Sequence, residues 1–204
     1  MTPRRYRGKE RQRTVDAGRD RIIDAARELL EDADAEPFSI DAVARRAGVA
    51  RMTVYNQFES KAGLLEELFD SIAVRGAFGQ MSEAFSMPDP LDAMDAFIAI
   101  FGKFWTDSLS IHTGLRAAAM QDPGLAAAMV QRNERRRQGL TVLVKRIGEK
   151  HELPLSREET VNALFVLLSF DGFHAMAGAG RTPKQVVPSL RRLVHQILGV
   201  DRPA

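Results

Sequence analysis

Ala47–Leu65 reads AGVARMTVYNQFESKAGLL, and its apolar and polar residues separate onto two sides. Val49, Val54, Phe58 and Leu64 recur at spacings that turn inward on helices, which leaves Arg51, Thr53, Tyr55, Asn56 and Lys61 to reach outward. Gly48 punctuates the segment where a preceding helix, IDAVARRA, needs a left-handed residue to close it. Ser39 precedes that helix and offers its side-chain oxygen to the unpaired N–H groups of the first turn. Two short helices with a tight turn between them, the second with an apolar back and a polar front, have the form of a helix-turn-helix.

Working outward, a helix is expected from Thr14 or Asp16 to about Asp34, with Ile22, Ala26, Leu29, Leu30 and Ala33 on one face. Downstream, residues 51–58 form the short second helix of the pair. Lys61 to about Phe85 reads as one long helix buried along Leu65, Leu68, Phe69, Ile72 and Met81. SMPDPLD, with Pro88 and Pro90, is the clearest internal boundary. Beyond it the pattern predicts helices from Leu91 to about Ser108, Ile111 to Met120, Pro123 to about Lys150, Glu158 to about Met176 and Thr182 to Leu198, with Pro188 kinking the last or delaying its start. No run of period-two alternation and no internal repeat is visible, so the fold class is all-α.

Composition bounds the function classes. At 204 residues with 45% apolar content the chain buries a substantial core, and with no Cys it has no disulfide and no thiolate chemistry. Its most apolar run, Val161 to Phe170, falls short of the roughly 18 to 20 residues of a membrane span, so a soluble, cytoplasmic protein is expected. Net charge is only +2, yet Arg4, Arg5, Arg7, Lys9, Arg11 and Arg13 crowd the leader against Glu10. That asymmetry points to a local anionic partner. Residues 1–13 read as a flexible basic arm, 14–62 as the helix-turn-helix domain and 63–204 as a helical body.

Duplex DNA suits this arrangement, since a major groove about 12 Å wide accepts one helix. Arg51 and Asn56 have the donors to read base edges, Thr53 suits a phosphate or a thymine methyl, and Tyr55 offers a hydroxyl to a phosphate. Lys61, at the start of the next helix, adds a charge to that helix's exposed N–H groups. The arm arginines Arg4, Arg5 and Arg7 suit the adjoining minor groove. A Gly turn with outward arginines also occurs at ordinary helical corners, and spacing alone leaves both readings open.

Residues 19–69 resemble the DNA-binding head of the TetR (tetracycline-repressor-like) transcriptional regulators. The resemblance rests on Ile23, Ala26 and Leu29–Leu30, then Ser39 with Ala42–Val43–Ala44, Ala47–Gly48–Val49 at the turn, Tyr55 and Phe58, and Lys61 with Leu64–Leu65. It implies a three-helix head, completed by the start of a fourth helix, on a divergent helical body that dimerises and holds a small effector. It also implies backbone phosphate contacts at Ser39, Thr53, Tyr55 and Lys61. Ala50 stands where the family often has Ser, which removes a capping oxygen. Met52, a DNA-facing candidate, replaces a small residue, and Asn56–Gln57 replace a pair that often ends in His.

The body's last two expected helices resemble those that pair between subunits in this family, which makes Phe170, Phe173, His174, Leu190, Val194 and Ile197 candidate interface residues. Leu164, Phe165, Leu167, Leu168 and Phe170 wrap most of the way round one helix, more than one core face requires. Phe97, Phe101, Phe104 and Trp105 recur at helical spacing, and with Met120 and Phe165 they are candidates for an apolar effector pocket, although such a stripe equally describes plain core. His112 and His174 read as structural, and Arg135–Arg136–Arg137 as a solvated face for which an anionic effector or a partner protein is the sharper alternative.

The expected function is a ligand-responsive regulator, acting as a repressor that binds a pseudo-palindromic operator as a homodimer and is released by a small apolar effector. A helical adaptor whose basic arm binds an acidic partner is the alternative. No His-Glu-x-x-His, Gly-x-Ser-x-Gly or Gly-x-x-x-x-Gly-Lys pattern occurs, so no catalytic residue, metal ligand or cofactor is expected.

Overall fold

The computed structural model describes the backbone of residues 4–32, 34–75 and 77–202, and the side chains of residues 17–202 apart from 33 and 73–77. Among the described residues all regular structure is helical. The elements are α1 (Arg4–Glu31), α2 (Ile40–Ala47), α3 (Arg51–Phe58), α4 (Lys61–Arg75), α5 (Met81–Ser86), α6 (Pro90–Asp107), α7 (Leu109–Ala119), α8 (Pro123–Gly148), α9 (Arg157–Leu167), α10 (Phe170–Ala177) and α11 (Val187–Leu198), with short 3-10 turns between some of them. No single described helix is long and apolar enough to cross a membrane.

The chain divides into two compact units, Met1–Ser71 with Ser110–Ala127, and Ile72–Leu109 with Ala128–Ala204. In the first, Ile22, Ile23, Ala26, Leu29 and Leu30 of α1 bury their stripe, as do Leu64, Leu65 and Leu68 of α4. Ile111 and Leu115 of α7 belong to the same unit and are buried. Within it, a Cβ on Gly114 would lie 2.1 Å from the Leu30 carbonyl oxygen, so α7 crosses the end of α1 at a distance only glycine allows. In the second unit Arg146 donates to the Phe85 carbonyl at 2.8 Å and to the Met87 carbonyl, while Lys150 reaches Pro88 at 3.0 Å. These cations close the turn that Asp89 and Pro90 open by capping α6, where the Asp89 carboxylate accepts the Leu91 N–H at 3.0 Å.

Three expected spans are corrected. The helix expected from Thr14 or Asp16 begins at Arg4, so residues 4–13, expected as a flexible basic arm, are helical. Arg, Lys, Glu and Gln are strong helix formers, and propensity carries the helix without an apolar stripe. The span expected from Lys61 to Phe85 stops at Arg75, a 3-10 turn occupies Ala77–Gln80, and α5 follows. Gly79 lies within that turn, and glycine costs helix about 1 kcal/mol per residue. The span expected from Glu158 to Met176 splits into α9 and α10, bent by 55°. There Ser169 caps α10 by accepting the Gly172 N–H at 2.9 Å, and a Cβ on Gly172 would strike the Leu167 carbonyl oxygen at 2.2 Å. Ala33, in the expected apolar stripe of α1, lies outside the described residues, as do the side chains of Arg4, Arg5 and Arg7.

Candidate nucleic-acid interface

The helix pair is built from its caps. Ser39 stands in extended conformation and its hydroxyl oxygen accepts the Ala42 N–H at 3.1 Å, which starts α2. Gly48 ends α2 at φ 66°, ψ 37°, its N–H directed at the Ala44 and Arg45 carbonyls, and Val49 N–H returns to Ala44 at 3.0 Å. A Cβ at Gly48 would meet no atom within 4 Å, so glycine serves the backbone there and not a lack of room. Ala50 precedes α3 with no side-chain cap bond, and its carbonyl accepts the Thr53 N–H at 2.9 Å.

Val54 and Phe58 are the buried residues of α3. Phe58 is held from the far side by Arg19 of α1, whose guanidinium carbon lies 4.6 Å from the ring centroid. The same arginine donates to the Gln57 carbonyl at 2.9 Å and pairs with Glu67 of α4 at 2.7 Å. Arg19 thus ties three helices behind the exposed side of α3. Sequence reading passed over it, although its place three and four residues before Ile22 and Ile23 sets it on the buried side of α1.

The handover from α3 to α4 is strained. Glu59 adopts φ 61°, ψ −39°, and Ser60 N–H closes a three-residue turn onto the Phe58 carbonyl at 2.6 Å. A Cβ on Gly63 would sit 2.2 Å from that same carbonyl oxygen. Ser60 completes the junction by accepting the Gly63 N–H at 2.9 Å.

The front of α3 carries Arg51, Met52 and Asn56 exposed, with Thr53 and Tyr55 half-buried. Arg51 donates to both carboxylate oxygens of Asp41 on α2, at 2.8 and 3.1 Å, and to the Tyr55 hydroxyl at 3.4 Å. The Tyr55 bond, followed by the charge of Asp41, raises the Arg51 pKa above its ordinary value. Both members of the Arg51–Asp41 pair are more than half exposed, where water screens the attraction, so a base edge or phosphate can compete for the guanidinium.

Lys61 is placed differently from the expectation of an outward phosphate contact. Its ammonium donates to Asp122 at 2.6 Å and lies 5.2 Å from the Phe38 ring centroid. The other Asp122 oxygen accepts the Leu125 N–H at 3.1 Å and caps α8. The Lys61 bond first, and the Leu125 N–H second, hold the Asp122 carboxyl below its ordinary range. Nothing near Lys61 in the sequence signals a partner 61 residues away.

The residues expected to line an effector pocket do not assemble as one group. Phe97, Phe101, Phe104 and Trp105 are buried and pack as a chain of rings, Phe97 to Phe101 at 4.6 Å, Phe101 to Trp105 at 5.6 Å and Phe104 to Trp105 at 4.9 Å. Met120 is 88% exposed, which corrects its placement as a pocket residue. Phe165 is half-buried beneath two arginines, Arg136 and Arg137. Of these two, Arg136 is buried, contrary to the solvated face expected of 135–137.

Among the expected interface residues, Phe173, Leu190 and Val194 are fully enclosed within the single chain, so a second subunit cannot touch them. Sequence pattern marked them as apolar without telling which side each faces. Phe170 and Ile197 are half-buried, and His174 is exposed with its ring stacked on Phe170 at 5.8 Å. His112 is buried, with its ring 5.1 Å from Phe69.

Residues 22–68 match the sequence model of the family described as bacterial regulatory proteins, tetR family. No curated protein matches the chain in sequence. Solved structures share its fold. A protein from Rhodococcus sp. described as a TetR-family transcriptional regulator is 18% identical with a TM-score of 0.69, over 89% of this chain and 99% of that one. NalD of Pseudomonas aeruginosa, the secondary repressor of the MexAB-OprM multidrug efflux pump, is 19% identical with a TM-score of 0.67, over 91% and 97%. The fatty acid degradation regulator FadR of Bacillus halodurans is 20% identical with a TM-score of 0.65, over 90% and 99%. Residues 22–68 thus carry a helix-turn-helix head that matches the tetR family model, and the chain as a whole shares the fold of these regulators.

Proposed function

We propose that this protein is a repressor that binds a pseudo-palindromic operator in duplex DNA as a homodimer, in the cytoplasm, and leaves it when a small effector binds the body. The observation that carries the reading is α3, anchored by Val54 and Phe58 with Arg51, Met52, Thr53, Tyr55 and Asn56 turned outward. Arg51 and Asn56 read base edges, Thr53 and Tyr55 hold the backbone, and the Ser39 hydroxyl proton goes to a phosphate at the start of α2. Arg4, Arg5 and Arg7, on the first turns of α1, add positive charge. Lys61 joins these contacts when a phosphate replaces Asp122.

A homodimer presents two copies of α3 to half-sites about one helical turn apart, or a multiple of that. Val166, 70% exposed, and Leu193, with the half-buried Phe170 and Ile197, support a subunit interface formed by α9, α10 and α11. The effector acts by population shift: it favours the dimer arrangement in which the two copies of α3 miss successive grooves, and a ligand with equal affinity for both arrangements does nothing.

The test is duplex binding across a salt series, starting from a selection among random oligonucleotides. Tyr55→Phe and Lys61→Ala each weaken binding across sequences, and Lys61→Ala, which removes a cation from a phosphate, also lowers the slope of log affinity against log salt by about 0.9, while Tyr55→Phe, which removes a neutral hydroxyl, leaves the slope as it is. Wild-type protein indifferent to every duplex at low salt sinks the reading and leaves the adaptor alternative. An unchanged slope in Lys61→Ala removes the Lys61 phosphate interaction, and unchanged affinity in Tyr55→Phe removes that of Tyr55.

A further inference from the structure

The second compact unit contains a buried cation with no counter-ion among the described residues. Arg136 of α8 is 6% exposed. Its Nη1 donates to the Phe165 carbonyl at 2.8 Å and its Nη2 to the Asn133 side chain at 3.4 Å, both neutral acceptors, while its Nε has no hydrogen-bond partner among the described residues. Arg137 lies beside it. The two guanidinium carbons sit 4.2 and 4.0 Å from the centroid of the same Phe165 ring, and Arg137 donates to the Asn162 side chain at 2.6 Å. The carboxylate near the pair is Glu134, 3.5 Å from Arg137 and more than half exposed. Burial, then the like charge of Arg137, lowers the Arg136 pKa to about 10.

A buried ion without an opposite charge is costly, and proteins pair such groups. The Phe165 ring and carbonyl offset part of that cost but carry no net charge. A guanidinium with an unused Nε–H is built to take a carboxylate or phosphate oxygen, and the Asn133 and Asn162 amides stand beside it as further donors. We propose that Arg136, with Arg137, Asn133, Asn162 and Phe165, forms a binding site for the oxyanion group of a small molecule, a carboxylate or a phosphate, between α8 and α9. This rests on the effector reading of the proposed function and changes it: the effector carries a negative charge rather than being wholly apolar.

The test is thermal unfolding of the full chain in octanoate, benzoate or inorganic phosphate, each at ionic strength matched with chloride. At least one probe raises the Tm saturably, by roughly 5–10 °C at a hundredfold excess over its Kd. Octanoate or benzoate acting alone identifies a carboxylate, and phosphate acting alone a phosphate. Arg136→Met abolishes the saturable shift, Arg137→Gln weakens the affinity about tenfold, and Arg192→Gln, an exposed arginine on α11, leaves it unchanged. Should Arg136→Met not fold, the wild-type titration with Arg137→Gln decides. No saturable shift with any probe overturns the proposal, as does the same shift in Arg136→Met as in wild type. Duplex binding measured on the same samples separates the two ideas. DNA binding without an anion response sinks this site alone, while an anion response without DNA binding keeps the site and sinks the regulator.

Discussion

α3 and α6 use their side chains in opposite ways. Of the eight residues of α3, two are buried, whereas α6 buries eleven of eighteen. α6 gives nearly every apolar side chain to its own unit, where the rings of Phe97, Phe101, Phe104 and Trp105 support one another. α3 keeps only what holds it in place and turns the rest of its surface to water. A helix that presents a face to a partner has few contacts to spare, so each anchor carries more of its position.

The largest expected effect breaks this contrast at its anchors. Phe58→Ala removes a ring stacked under Arg19 and costs about 3–5 kcal/mol; Phe101→Ala costs a similar amount in the body. Their consequences differ. Urea unfolding followed by circular dichroism gives the two stabilities, and duplex binding under folded conditions separates them. Phe58→Ala loses DNA affinity out of proportion to its stability, while Phe101→Ala binds duplex as wild type does. Equal loss of DNA binding in both variants would show that α3 is not held by its own two anchors.

The next effect sharpens the contrast at the α3–α4 junction. Gly63→Ala places a methyl 2.2 Å from the Phe58 carbonyl oxygen, a backbone atom that cannot swing aside as a side chain would. The expected cost is about 1–3 kcal/mol, read from the same urea curves. Gly79→Ala is the matched control, since a Cβ there would meet nothing within 4 Å. A Gly63→Ala protein as stable as wild type would mean the junction yields easily.

Much of the head was legible because its signals are local. Ser39, Gly48 and the spacing of Val54 and Phe58 each act within one helical turn, and the structure uses all of them. The body was read less well, because apolar residues around a whole helix carry no phase. Leu164 to Phe170 looked like continuous helix, and that richness hid the bend that Ser169 and Gly172 make. In Arg135–Arg136–Arg137 the chain turns about 100° per residue, so only one of three equal letters faces inward, and composition cannot say which. Partners distant in sequence were invisible for a related reason. Arg19 to Glu67 and Lys61 to Asp122 depend on how helices cross, which no local pattern records.

The smallest effect concerns the one phosphate candidate that the fold holds back. Asp122→Asn removes the negative charge on Lys61 while the amide oxygen keeps capping the Leu125 N–H, so α8 still starts where it does. Partly exposed pairs are worth about 0.2–1 kcal/mol, so releasing Lys61 lowers the duplex Kd by a factor of roughly 1.5 to 5. Acid is a poor substitute for the mutation. The Asp122 carboxyl is held below its usual value, so the stability it contributes is complete above its unfolded pKa of 3.8 and is lost only as pH falls through the still lower folded value. At neutral pH the pair is therefore fully formed, and the gain belongs to the variant alone. Introducing Asp122→Asn into Lys61→Ala closes a double-mutant cycle: the gain disappears if Asp122 acts through Lys61, and it persists if removing the carboxylate merely makes the surface less repulsive to DNA.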